Sequence, residues 1–91
     1  MDNLYTILLD YAGGTYVSQV PAQDVISVLP IWLDKLVDDD LRQWNLGRME
    51  LKTATETAPI LLDGLQNVWC VSSAGKLGLV LINIVATQTE N

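Results

Sequence analysis

Few residues in this chain have the type and spacing to do chemistry. The densest polar feature is Asp38-Asp39-Asp40, with Asp34 shortly before it and Trp44 shortly after. Clustered carboxylates can hold a cation or meet a basic partner. Calcium loops interleave their ligands and place a Gly at a set offset, and that spacing is missing here. The same acids oppose the dipole at the end of a helix and favour it at the start of one. A helix break near Asp38 or Asp39 is therefore expected, with the acids opening a new helix. Capping and solvation is the plain role of the run. Its functional reading is a contact for a partner, made by Asp34, Asp38, Asp39, Asp40 and Trp44.

Other chemistry is thin. Cys70 is the single cysteine, and the chain has no histidine. No intramolecular disulfide and no thiolate metal site can be built from one thiol. The commonest general base and metal ligand is absent, so nothing obvious activates Cys70, which reads as a small buried hydrophobe. Gly75-Lys76 is not a phosphate-binding motif, because Cys70 stands where the earlier Gly is needed and Leu77 where Ser or Thr is needed. No Ser has a nucleophile-elbow context. No catalytic, cofactor-binding or metal residue is assigned. Trp32, Trp44 and Trp69 fall at positions expected to pack, and an exposed one would anchor an interface.

Composition sets the frame for these residues. Ninety-one residues make one domain, residues 1–91, able to bury roughly 60–65% of its unfolded surface. Apolar content of 49% fits a globular fold. The net charge is −6, and the five basic residues, Lys35, Arg42, Arg48, Lys52 and Lys76, are scattered. Nucleic acid and anionic membranes are therefore poor partners, whereas a basic protein is electrostatically suited. Asp2 stands where a signal peptide needs a basic region. The longest apolar run, Leu77 to Ala86, is about half a membrane span. The cytoplasm is the default compartment.

The elements that must position these residues begin with a hairpin from Leu4 to Val20. Gly13-Gly14 suits a two-residue type I′ loop, since both positions need positive φ. That loop pairs Tyr11 with Tyr16, Leu9 with Ser18 and Ile7 with Val20. It gathers Tyr5, Ile7, Leu9, Tyr11, Tyr16 and Val20 on one face. A three-residue loop beginning at Ala12, with a bulge, is the competing geometry. Pro21 ends the strand, and Asp24 is a good N-cap. Val25, Val28, Leu29, Trp32, Leu33, Leu36 and Val37 recur at helical spacing, which predicts a main helix over 24–37, kinked at Pro30. The alternative makes 24–29 a third strand and Pro30 the first helical residue. A short second helix, about Leu41 to Leu46, ends at Gly47 and is anchored by Leu41 and Trp44. Residues 48–58 are polar and Thr-rich, either an edge strand or a loose connection.

A second hairpin closes the chain, with Ala74-Gly75 between Asn67–Ser73 and Lys76–Thr87. Its loop pairs Ser72 with Leu77, Cys70 with Leu79 and Val68 with Leu81. Leu77, Leu79 and Leu81 share one face, and Val80, Ile82 and Ile84 the other. A strand apolar on both faces is covered on both sides. One helix covers only one, so a homodimer or another protein is expected on the second. Gln88 to Asn91 are expected to fray. The fold expected is α+β, a largely antiparallel sheet of about four strands packed on one main helix, with a short second helix.

Gly13-Gly14-Thr15-Tyr16-Val17-Ser18-Gln19-Val20, the Trp-bearing helix and Asn67-Val68-Trp69-Cys70 resemble a group of small uncharacterised bacterial proteins. That resemblance spans most of the chain and implies no activity. The order of apolar strand, Gly turn, strand ending in Val20-Pro21 and helix also resembles, over about 35 residues, the N-terminal half of HicB-like antitoxins. Those place a sheet-and-helix module against a small basic toxin. The chain shows no clear third strand before the helix and no appended DNA-binding segment, so operon autoregulation is not implied. The function expected is a non-enzymatic protein-interaction or regulatory domain, a homodimer that binds a basic partner in antitoxin-like fashion, without cofactor. The alternative is a small-ligand pocket at the helix–sheet seam or the dimer interface. An enzyme ranks third.

Overall fold

The computed structural model describes residues 2–88. Thr89 to Asn91, part of the stretch expected to fray, lie outside the described residues. The chain runs β1 (Asn3–Tyr11), β2 (Gly14–Ala22), a 3-10 turn (Val25–Ser27), α1 (Val28–Lys35), α2 (Asp38–Gln43), α3 (Arg48–Thr55), β3 (Ile60–Leu61), β4 (Val68–Gly75) and β5 (Gly78–Gln88). The strands form one antiparallel sheet in the order β2-β1-β5-β4-β3. The α+β class and antiparallel sheet are as expected. Among the described residues there are five strands rather than about four, and three helices where one main helix and a short second were expected.

The helices lie on one face of the sheet. Helix α1 packs on β2, α3 packs on β4, and the two helices meet each other. Beneath them lie Tyr5, Ile7, Leu9 and Tyr11 of β1, Val20 of β2, Val71 of β4 and Val80, Ile82 and Ile84 of β5, all buried. The two-residue alternation of strand side chains puts these positions together. Burying a side chain of this size is worth about 1.5–3 kcal/mol, so this layer and its helical cover carry the fold.

Both hairpins keep the expected faces but change partners. The first loop is Ala12-Gly13, not Gly13-Gly14. Ala12 and Gly13 take φ of +50° and +83°. Leu9 pairs with Tyr16, Ile7 with Ser18 and Tyr5 with Val20. Gly14 serves the strand instead: a Cβ there would come within 2.7 Å of Tyr16 Cζ. The second loop is Lys76-Leu77 rather than Ala74-Gly75, and pairs Ser72 with Leu81, Cys70 with Asn83 and Val68 with Val85. A Cβ on Gly75 would come within 2.7 Å of the Tyr11 ring, so this Gly also makes room for an aromatic side chain. The two slips are of two and four residues. Even slips leave every side chain on its face.

The stretch 24–37 is not one kinked helix. Asp24 caps a 3-10 turn, accepting bonds from the Ser27 N–H at 2.9 Å and hydroxyl at 2.8 Å. Helix α1 then starts at Val28, which places Pro30 in its first turn, where a backbone N–H needs no helical partner. The proline is absorbed without a break. Helix α2 is terminated by Asn45 (φ +55°), two residues past its last residue Gln43, and not by Gly47. Leu46 N–H bonds to Leu41 C=O and Asn45 N–H to Arg42 C=O, the Schellman pattern. Gly47 is instead the N-cap of α3, which occupies most of the stretch expected to be strand or loose connection. Leu51 and Ala54, three apart, are its buried face.

Candidate functional site

The helices leave the other face of the sheet uncovered. Along β1 it presents Leu4, Thr6, Leu8 and Asp10, all half-buried by their neighbours in the sheet alone. On β5, Leu81, Asn83 and Val85 are half-buried, as are Val68 and Cys70 on β4. Register places these residues in rows. Val17, Leu8, Asn83, Cys70 and Ile60 run side by side across all five strands. Leu81 lies above this row, between Asp10 and Ser72, and Val85 below it, between Thr6 and Val68. Val17 is 62% exposed, Ile60 68% and Leu79 60%, values that leave their apolar surface free for a partner.

Polar groups close the ends of this face. Thr15 hydroxyl donates to Asp10 Oδ1 at 2.5 Å, and Gln19 Nε2 donates to Thr6 Oγ1 at 3.0 Å. Thr6 is also bonded to Thr87. Asp10 is the only charged side chain facing this side from β1, β2, β4 and β5. An apolar centre with a polar margin is the anatomy of a protein contact. Asn83 is a polar side chain in the central row, with no hydrogen-bond partner among the described residues.

The acids singled out in the sequence sit elsewhere. Asp38, Asp39 and Asp40 form the first turn of α2. Asp39 pairs with Arg42 at 3.2 Å and Asp38 with Arg48 at 3.3 Å, all on the surface. Arg48 also donates to the Leu33 and Leu36 carbonyls at 3.4 and 3.2 Å, tying the end of α1 to the start of α3. Asp34 is exposed on α1. The structure does not bring Trp44 to the surface with them. It is 7% exposed, stacked on Tyr16 at 5.0 Å and on Trp32 at 6.2 Å between ring centroids. Trp69 packs edge-on against Tyr5 at 6.2 Å.

A second polar constellation was not singled out in the sequence. Glu50 of α3 accepts bonds from the Lys76 N–H at 2.8 Å, the Gly47 N–H at 3.2 Å and the Tyr11 hydroxyl at 3.4 Å. Tyr11 hydroxyl in turn accepts from the Leu77 N–H at 2.8 Å. The Lys76 N–H, foremost among these donors, holds the Glu50 carboxyl below its ordinary value against some opposing desolvation. The group closes the β4–β5 turn onto the start of α3. The spacing Gly47-x-x-Glu50, a Glu reaching back to its helix N-cap, is the sequence signal that marks it.

One cleft of about 220 Å³ lies between the start of α1 and the end of α3, lined by Ile26, Leu29, Pro30 and residues 55–59. It is open, mostly apolar and smaller than a typical ligand site of about 300–1,000 Å³. It is not at the helix–sheet seam. Among the described residues no three His, Cys, Asp or Glu side chains gather to hold a metal, and no helix is long and apolar enough to cross a membrane. Compared with protein-family models, with curated proteins and with solved structures, the chain shows no match.

Proposed function

We propose that this chain is a non-enzymatic protein-interaction domain that docks a protein partner on its open sheet face. The observation that carries the reading is the central row from Val17 to Ile60, apolar but for Asn83 and left bare by every helix. The four long strands span roughly 19 Å by 27 Å, about 500 Å² in projection and more over the side chains. That is the scale of one side of a standard interface, about 800 Å². The partner is a basic protein with an apolar patch of its own. The chain carries a charge of −6, which attracts such a surface, while the face holds a single carboxylate and so costs little to dehydrate. This is an antitoxin-like mode of action, neutralising or scaffolding a basic protein.

The reading is tested by affinity capture from the host lysate at low and moderate salt, with wild-type and Leu81→Glu baits. Cys70, the only thiol, lies on the face and reports its coverage. A basic protein held by the wild type, released by salt, lost from the variant and protecting Cys70 from a thiol reagent is the expected result. Equal capture by both baits with Cys70 still reactive would remove the open face as the contact. A bait that retains no protein at either salt would shift the reading to a small ligand in the cleft beside Ile26 and Pro30.

A further inference from the structure

Strand β2 is an edge of the sheet, with β1 on one side and, among the described residues, no strand on the other. Its unused backbone groups follow from the turn. The Ala12-Gly13 loop makes Tyr11 and Gly14 the closing pair, and such a pair exchanges hydrogen bonds. Bonded and non-bonded pairs alternate along an antiparallel ladder. Tyr16, Ser18, Val20 and Ala22 therefore direct their N–H and C=O groups to β1, and Thr15, Val17, Gln19 and Pro21 direct theirs outward. Pro21 agrees with this count. The one residue of the strand without an N–H falls in the outward set, where β1 needs none.

Proteins guard such edges with short strands, charges, bulges or a covering segment. The far edge is guarded in this way, because β3 has only two residues. Strand β2 has nine residues, no charged side chain from Gly14 to Ala22, and an unbroken register with β1. Pro21 alone limits its outer edge.

We infer that two copies of the chain pair through their β2 edges, antiparallel about a two-fold axis at Val17. Val17 then lies opposite Val17 of the second copy, and Thr15 opposite Gln19 in both directions. All three are bonded pairs, giving about six backbone hydrogen bonds. The ladder stops at once from both sides, because Pro21 of one copy arrives opposite the Gly13 turn of the other. This self-complementarity selects a second copy over a foreign strand. Charge limits where copies can meet: two chains of −6 repel, and they can approach closely only where carboxylates are absent, as along β2. The axis is normal to the sheet, so both helical layers fall on one side. On the other side the Leu8–Val17 row continues into the second copy, joining two open faces into one. The inference rests on the edge, and it stands whether or not that face binds a partner.

Cysteine cross-linking in a Cys70→Ser background tests the register. Residues facing each other in a bonded pair have Cα atoms about 5.5 Å apart, within disulfide reach. Val17→Cys is expected to give a covalent dimer on mild oxidation. Thr15→Cys and Gln19→Cys are each offset from their own copies by about 13 Å and are expected to stay single alone, but to join when mixed. Wild type is expected to sediment as a dimer, and Val17→Lys, with two ammonium groups opposed, to raise the dissociation constant about tenfold or more at unchanged circular dichroism. A wild type that sediments as a monomer, or Thr15→Cys that cross-links alone as readily as Val17→Cys, would overturn the inference. Leu81→Glu separates the two readings: it is expected to keep the dimer while losing the partner.

Discussion

The Glu50 carboxylate accepts a 2.8 Å bond from the Lys76 N–H, joining the first turn of α3 to a hairpin loop 26 residues further along. The same carboxylate caps Gly47 and meets the Tyr11 hydroxyl. One side chain thus links a helix start, the β4–β5 turn and the end of β1. Because hydrogen bonds to the ionised form lower its pKa, the folded state is stabilised by Glu50 above the ordinary carboxyl value and loses that contribution as pH falls through the depressed folded value.

Glu50→Gln is therefore expected to lower the melting temperature at pH 7. The gap between variant and wild type should narrow from about pH 5 downward. Thermal melts of both proteins over pH 3–7 check this. Parallel curves would mean that the charge of Glu50 does not matter. Tyr11→Phe should lose part of the same effect, and the double variant should cost less than the sum, because the two groups share one network.

A second prediction concerns the first turn. Ala12 sits at φ +50°, a region that costs a residue with a Cβ about 1–2 kcal/mol, and that Asn tolerates. Ala12→Asn should raise stability by about 0.5–1 kcal/mol. Ala12→Gly should change it less, since the relief is offset by about 0.4–1 kcal/mol of added chain entropy when unfolded. Gly14→Ala should destabilise by about 1–3 kcal/mol, because its Cβ would drive the Tyr16 ring from its stack on Trp44. Denaturant midpoints at constant slope measure all three.

These glycines explain how much of the fold was legible. The two-residue period of apolar side chains fixes which face each residue takes, and Tyr5 to Tyr11 and Val80 to Ile84 went where it placed them. The loop positions were not legible. Gly14 and Gly75 read as turn residues, but each is needed where an aromatic ring crosses the backbone, a reason that exists only in three dimensions. Residues 48–55 were missed because Thr-rich composition is a weak helix signal, and the anchor of the helix is a partner far along the chain. The bare sheet face was legible in outline from a last strand apolar on both sides. The packing of Trp44 as an inner anchor of a short helix was legible too, as were the acids that open that helix. The pairing of Asp38 with Arg48 and of Asp39 with Arg42 was not, since a charge run looks alike in sequence whether paired or free.

That distinction makes a third prediction. Trp44→Ala should destabilise by about 3–5 kcal/mol, as expected for an aromatic side chain stacked within the core. Asp38→Asn and Asp39→Asn should each cost less than about 1 kcal/mol, since both pairs are on the surface and screened by salt. Chemical denaturation in low and high salt checks both: the aspartate effects should shrink with salt, and the tryptophan effect should not.

The last prediction turns on Asn83. It lies mid-strand between Leu8 on β1 and Cys70 on β4, in the row that gives the open face its apolar character. Asn suits a strand poorly, and replacing it with Val should stabilise the isolated domain by up to about 1 kcal/mol. The same change makes the central row apolar from edge to edge on a surface with only one carboxylate to keep copies apart. Asn83→Val should therefore raise the denaturant midpoint and, at the same time, lower solubility, seen as light scattering that grows with protein concentration. A stabilised variant that stays as soluble as wild type would mean that Asn83 does not limit contacts at this face. A variant of lower stability would mean that the Asn83 amide makes bonds in solution that outweigh the poor fit of Asn to a strand.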